Sequence, residues 1–174
     1  MDTLISIGQQ APLFELPDLQ GSLHKLESLR GKVVILNFWS AECPWSKAAD
    51  QELLSYISDL DAGLTLWSIA SNANEPIDLL QHVAAERALP LVVHDKHQTA
   101  ADLYGALTTP HFFVVDREGV LRYQGALNDV TFRQREPTRN YLRPAVEALL
   151  SGMEPDPSET TPYGCTIVRY NADH

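Results

Sequence analysis

The chain has 174 residues, 44 % hydrophobic and 21 % charged, with 13 Lys and Arg against 23 Asp and Glu for a formal net charge of −10. That acidic surplus argues against a nucleic-acid or anionic-membrane partner, since both need clustered cations to meet phosphate. Only two cysteines are present, Cys43 and Cys165, which excludes a disulfide scaffold and a four-cysteine zinc site. The length suits one domain, read here as residues 1–152, followed by a Pro-rich tail over 153–174. Met1–Gly8 lacks a basic segment and a long apolar run, and no stretch approaches the ~18 apolar residues of a membrane span. Nothing there reads as a secretory or transit peptide, and a cytoplasmic protein is expected.

Two alternating runs, Leu13–Leu16 and Ser22–Leu26, flank a turn at Asp18–Gly21 and predict a hairpin. Val33–Trp39 is nearly continuous apolar sequence, as a strand buried on both faces requires. Pro44 then opens a helix bearing Trp45, Ala49, Leu53, Ile57 and Leu60 at three- to four-residue spacing. Proline is tolerated there because the N–H it lacks has no helical acceptor anyway. Leu64–Ala70 predicts the next strand, and Glu75-Pro76 opens a helix with Ile77, Leu80, Ala84 and Ala88 on one face. Leu91–Val93 reads as a short strand and Thr99–Tyr104 as a short helix stopped by Gly105. His111–Val115, the turn Asp116–Gly119 and Val120–Gln124 predict a second hairpin. The last helix carries Leu142, Val146, Leu149 and Leu150, and Pro144 marks its start or a kink. This order describes an α/β protein with a mixed central sheet flanked by helices, an N-terminal hairpin and an extended C-terminal tail.

The chemistry concentrates at the strand-to-helix junction Phe38-Trp39-Ser40-Ala41-Glu42-Cys43-Pro44-Trp45-Ser46. A cysteine at a helix start faces unpaired backbone N–H groups and the positive end of the helix dipole, which favour thiolate over thiol. Glu42 opposes that effect through its neighbouring charge. A small buried hydrophobe is the usual role of a free cysteine; the placement of Cys43 points instead to a reactive thiol. Ser46 occupies the position where an adjacent dithiol would need its second cysteine, so its hydroxyl is read as a hydrogen-bond donor to the thiolate.

From Gly8 to Val120 the chain resembles the redoxin branch of the thioredoxin superfamily, which holds the TlpA-type thiol–disulfide oxidoreductases and the peroxiredoxins. Besides the Cys43 junction, the resemblance rests on Thr109-Pro110 before the strand His111–Val115, on Ile69–Glu75, and on the turn Asp116–Gly119. It implies a thioredoxin-like fold with Pro110 as a cis-proline facing Cys43, and Glu75 as a carboxylate near the thiol that relays protons. A solvated helix-entry residue is the plainer reading of Glu75. Tyr123–Asp129, a helix, a Pro-rich spacer and Tyr163-Gly164-Cys165-Thr166-Ile167 extend the likeness to a peroxiredoxin-like subgroup with a Gly-Cys-Ser/Thr-Ile tail.

Two chemistries follow from that resemblance. Ser40 fits the residue three places before a peroxiredoxin nucleophile, but Leu36 stands where its proline would be and no arginine precedes Phe112. An arginine there would stabilise charge as the O–O bond breaks, so disulfide exchange is favoured over hydroperoxide reduction. Exchange needs a second thiol to resolve the mixed disulfide, and Cys165 is the internal candidate. From Leu150 an extended tail reaches up to ~50 Å at ~3.3 Å per residue. Alternatively Cys165 has no role, or a short strand Cys165–Val168 docks on the sheet. The expected partners are protein or small-molecule disulfides and a thiol reductant, with hydroperoxides as the alternative oxidant.

No motif calls for a cofactor. His94, His97 and His111 with Cys43 suggest a metal only weakly, because thioredoxin-like metallochaperones use two cysteines near the helix start. A non-catalytic binding module is the remaining alternative. Trp39 reads as core and Trp45 as an apolar platform beside the thiol, while Arg133, Arg135 and Arg139 read as a solvated face.

Overall fold

Every residue of the central strand β3 (Val33–Trp39) is buried, and the rest of the molecule is layered on its two faces. A computed structural model describes residues 5–58 and 63–170. The preceding hairpin is β1 (Glu15–Pro17) and β2 (Leu23–Lys25). After β3 come α1 (Pro44–Ile57), β4 (Leu64–Ala70), α2 (Ile77–Glu86), β5 (Val92–His94) and α3 (Thr99–Tyr104). The chain continues through β6 (Thr108–Thr109), β7 (His111–Val115), β8 (Leu121–Gly125), α4 (Leu142–Leu150) and β9 (Cys165–Thr166).

The main sheet has the order β5-β4-β3-β7-β8. β3, β4 and β5 run parallel, and β7 is antiparallel to both β3 and β8, so the sheet is mixed as expected. Side chains alternate along a strand, and β3 therefore serves two cores. Val34, Leu36 and Phe38 pack with Trp67, Tyr104 and Phe113 on one face. Val33 and Ile35 pack with Ala49 and Leu53 of α1 and Leu142 and Val146 of α4 on the other. Truncating a fully buried leucine such as Leu53 to alanine costs roughly 2–5 kcal/mol in such a setting.

Pro144 falls in the first turn of α4, where a missing N–H breaks no bond. The β5 and β8 boundaries each lie one residue later than the sequence pattern implies. The buried side of α2 differs more. Leu79, Leu80, Val83 and Ala84 face the core, whereas Ile77 is 42 % exposed. The helix ends at Glu86, so Ala88 has no helical face to occupy and takes a left-handed φ of 55°. Leu60, expected on α1, lies outside the described residues, as do Met1–Leu4 of the N-terminus.

Within the described residues the tail is docked at several points. Gln124 N–H donates to Ser158 O and Thr160 N–H to Gln124 O, each at 3.0 Å. Thr160 Oγ1 also accepts from Ala126 N–H at 2.9 Å and lies 2.6 Å from the Tyr123 hydroxyl. Gly125 permits this approach, because a Cβ there would strike Thr160. Beyond Cys165, Ile167 is buried in the larger core and its N–H donates to Leu107 O at 3.0 Å. Anchors on both sides of Cys165 thus replace the free reach expected of an extended tail. Among the described residues no helix is long and apolar enough to cross a membrane.

Candidate active site

The loop between β3 and α1 is held from two sides. Cys43 is the N-cap of α1, with φ −76° and ψ 123°, and Pro44 is the first helical residue. Ser40 Oγ accepts from Cys43 N–H at 3.1 Å and from Glu42 N–H at 3.2 Å, and donates to Glu75 Oε2 at 2.5 Å. Glu75 also accepts from Ala41 N–H at 3.0 Å and from the Asn72 amide at 3.2 Å. It is only 6 % exposed, so it is a buried clamp on the cysteine loop rather than a solvated helix-entry residue. A buried carboxylate is tolerable here because several donors converge on it.

On the opposite side, Arg87 Nη2 donates to Ala41 O at 2.7 Å while its Nη1 meets Asp50 Oδ2 at 2.9 Å. Trp39 Nε1 donates to the same Asp50 oxygen at 2.7 Å, and the Arg87 guanidinium lies 5.6 Å from the Trp39 ring. Burial raises the Asp50 carboxyl pKa, opposed by its bonds to Trp39 and Arg87. Asp50, Arg87 and Asn72 escaped the sequence reading. Asp50 had a usable signal, since it follows Ala49 on the buried side of α1, and a buried carboxylate demands a partner. Arg87 and Asn72 carry no comparable local signal.

Removing the Glu75 carboxylate should leave Ala41 N–H without its acceptor. Glu75→Ala is expected to cost about 2–3 kcal/mol in urea unfolding, with Glu75→Gln recovering most of that loss.

The sulfur of Cys43 lies 3.2 Å from Thr109 O, and the Thr109–Pro110 peptide bond is cis. Cys43 is 4 % exposed and disulfide-bonded to Cys165, across a sequence separation of 122 with the Cα atoms 6.2 Å apart. β9 places Cys165 there by pairing antiparallel with β6, Thr109 opposite Cys165 and Thr108 opposite Thr166. The tail therefore both docks as a strand and carries the sulfur to Cys43, two readings that the sequence left as alternatives. Gly164 is what permits this contact, because a Cβ there would run into the Thr109 carbonyl. Gly164→Ala should push the tail off β6. We expect at least a 10-fold slower closure of the Cys43–Cys165 disulfide, measured by quenched alkylation during oxidation.

Ser46 is fully buried, and its Oγ accepts from Ser40 N–H at 3.2 Å. In the disulfide form it braces the loop; the expected bond to the Cys43 sulfur is not its contact here. Trp39 is core, whereas Trp45 packs edge-on against Tyr163 of the tail at 5.1 Å.

His111 starts β7 beside the cis-proline. Its Nδ1 accepts from Leu107 N–H at 3.2 Å, and its ring rests on Phe113 at 4.5 Å. Burial lowers its pKa from 6.5 to about 4. The unfolded chain then takes up this proton first, so stability is full above pH 6.5 and is lost as pH falls toward 4. The expected loss approaches about 3 kcal/mol in urea titrations at pH 7 and pH 4.5, and His111→Gln should remove that part of it. Among the described residues no three His, Cys, Asp or Glu side chains come together as a metal site.

Residues 7–124 match the model of a family described as AhpC/TSA. A thiol-disulfide oxidoreductase ResA of Geobacillus thermodenitrificans is 32 % identical over 127 residues, 69 % of each chain. A hypothetical protein from Sinorhizobium meliloti superposes with a TM-score of 0.86 at 29 % identity, covering 98 % of this chain and 97 % of that one. The thioredoxin domain of a thiol-disulfide oxidoreductase from Bacteroides vulgatus gives 0.61 at 24 % identity, covering 75 % and 93 %. The fold is thioredoxin-like.

Proposed function

The chain belongs to the AhpC/TSA family, and on that premise we propose that it is a thiol–disulfide oxidoreductase cycling between a Cys43/Cys165 dithiol and the Cys43–Cys165 disulfide. The observation that carries this reading is the disulfide itself, which joins the helix-start cysteine to a tail strand laid against the cis-proline loop. Relatives named as thiol-disulfide oxidoreductases support it.

In the reductive direction the Cys43 thiolate, favoured by the N-terminus of α1, attacks one sulfur of a substrate disulfide. A mixed disulfide forms on Cys43 and the first substrate thiolate leaves. The Cys165 thiolate then attacks the Cys43 sulfur, releasing the second substrate thiolate and closing Cys43–Cys165. Two electrons pass from the protein to the substrate, and an external thiol reductant restores the dithiol. Ser40, Glu75 and Arg87 act as positioning residues, holding the loop so that Cys43 keeps its place at the helix start. Asp50 pairs with Arg87, which donates to the loop carbonyls of Ser40 and Ala41.

The test mixes reduced protein with excess hydroxyethyl disulfide and counts released thiol. Two thiols per chain are expected from the wild type and none from Cys43→Ser. Release of no thiol by the wild type, with rapid oxidation by hydroperoxide instead, would transfer the chain to peroxidase chemistry.

A further inference from the structure

A cleft of roughly 240 Å³ opens between α1, the cis-proline Pro110 and Tyr163 of the tail. One wall is a single face of α1, Trp45, Ala48, Ala49 and Glu52, at the spacing i, i+3, i+4, i+7. Its near end is formed by Trp45, two residues after Cys43, by Pro110, and by Tyr163, two residues before Cys165. The small side chains of Ala48 and Ala49 make the floor between. Two charged side chains of opposite sign also line the cleft: Glu52 at the far end of that α1 face, and Arg135 from the loop before α4.

These two charges are complementary, and neither forms an ion pair among the described residues. The Arg135 guanidinium rests on the Phe132 ring at 5.8 Å and forms no ion pair among the described residues. The Glu52 carboxylate accepts from the Asn128 amide at 3.0 Å and meets no cation among them. Burial raises its pKa, a cost that an incoming ammonium would relieve. A carboxylate for Arg135 and an ammonium for Glu52 together describe a free amino-acid end.

Length selects the class of ligand. From Trp45 to Glu52 the helix rises about 10 Å at 1.5 Å per residue. In a γ-glutamyl-cysteinyl compound seven bonds separate the sulfur from the α-carbon of the amino-acid end, about 8 Å at roughly 1.2 Å per bond. Side chains that tilt toward the helix N-terminus close the remainder. In cystine the amino-acid end lies only two bonds from sulfur and cannot span the cleft.

We propose that the cleft between α1 and the Arg135 loop binds a γ-glutamyl-cysteinyl disulfide of the glutathione type, with its amino-acid end between Arg135 and Glu52 and its sulfur at the Trp45–Pro110 end. This rests on the oxidoreductase reading and names its small-molecule substrate. The Cys43 thiolate attacks one glutathione sulfur, the glutathione S–S bond breaks, and one glutathione thiolate leaves. Cys165 displaces the second, so two electrons reduce one disulfide to two thiols, which take the two protons lost by the protein cysteines.

The experiment measures oxidation of the reduced protein by glutathione disulfide, L-cystine and hydroxyethyl disulfide. Each rate is divided by the rate of that disulfide with free dithiothreitol, which removes leaving-group differences. The wild type should favour glutathione disulfide over hydroxyethyl disulfide by about 10-fold, with L-cystine near the latter. Arg135→Ala and Glu52→Gln should each bring that ratio close to one. A wild-type ratio near one, an equal preference for L-cystine, or a ratio unmoved by either substitution would overturn the proposal while leaving the oxidoreductase reading intact. Oxidation by none of the three would overturn that reading, and this one with it.

Discussion

Cys165→Ser should release one thiol per chain from a small disulfide and then stop, with the other half of the substrate retained on Cys43. The first attack needs only Cys43, its place at the N-cap of α1 and the loop bonds to Ser40 and Glu75. None of these depends on the Cys165 sulfur. Resolution does depend on it. β9 pairs with β6 at Thr109, and Ile167 is buried just beyond, so the resolving sulfur stays beside Cys43 instead of searching for it. A thiol fixed that way acts at an effective concentration well above the millimolar level of a flexible link. Turnover supported by millimolar external thiol should therefore fall by about 100-fold or more in Cys165→Ser. Intact protein mass should rise by one substrate half. Undiminished turnover would remove Cys165 from the cycle.

The second large effect is on stability. Linking residues 122 apart removes conformational freedom mainly from the unfolded chain, about 5 kcal/mol on the chain-entropy account. For a chain of this size that corresponds to a fall in Tm of roughly 10–20 °C on reduction. The non-covalent tail contacts, Thr160 on Tyr123 and Ala126 and the burial of Ile167, involve neither sulfur. The difference between oxidised and reduced protein therefore isolates the covalent link. Thermal scans of the wild type with and without dithiothreitol should differ by that amount. Cys165→Ser should melt near the reduced wild type under both conditions.

Sequence patterning made the main sheet legible because its signals are local. The apolar run of β3, Pro44 after Cys43 and Gly105 after α3 each act within a few residues of the feature they set. The face of α2 was misread because spacing alone does not say where a helix ends, and α2 stops at Glu86 before Ala88 can join it. At the site, Cys43 was visible from its junction with α1, whereas Pro110 was visible only through the resemblance of Thr109-Pro110 to a cis-proline loop. Glu75 was visible as a position but not as a clamp, since its burial depends on Ser40 and Ala41 more than thirty residues earlier. Arg87, Asn72 and Arg135 acquire their settings from tertiary packing alone. Gly164 is instructive in the same way. In the sequence it is one half of a Gly-Cys pair, and only the Thr109 carbonyl shows why a side chain there is excluded.

The most direct test of the account is proteolysis of the oxidised monomer without reductant, followed by mass analysis of the peptides. A single cross-linked pair containing Cys43 and Cys165, absent after reduction, is the predicted result. Recovery of both cysteines as free thiols, or linked only between two chains, would contradict it.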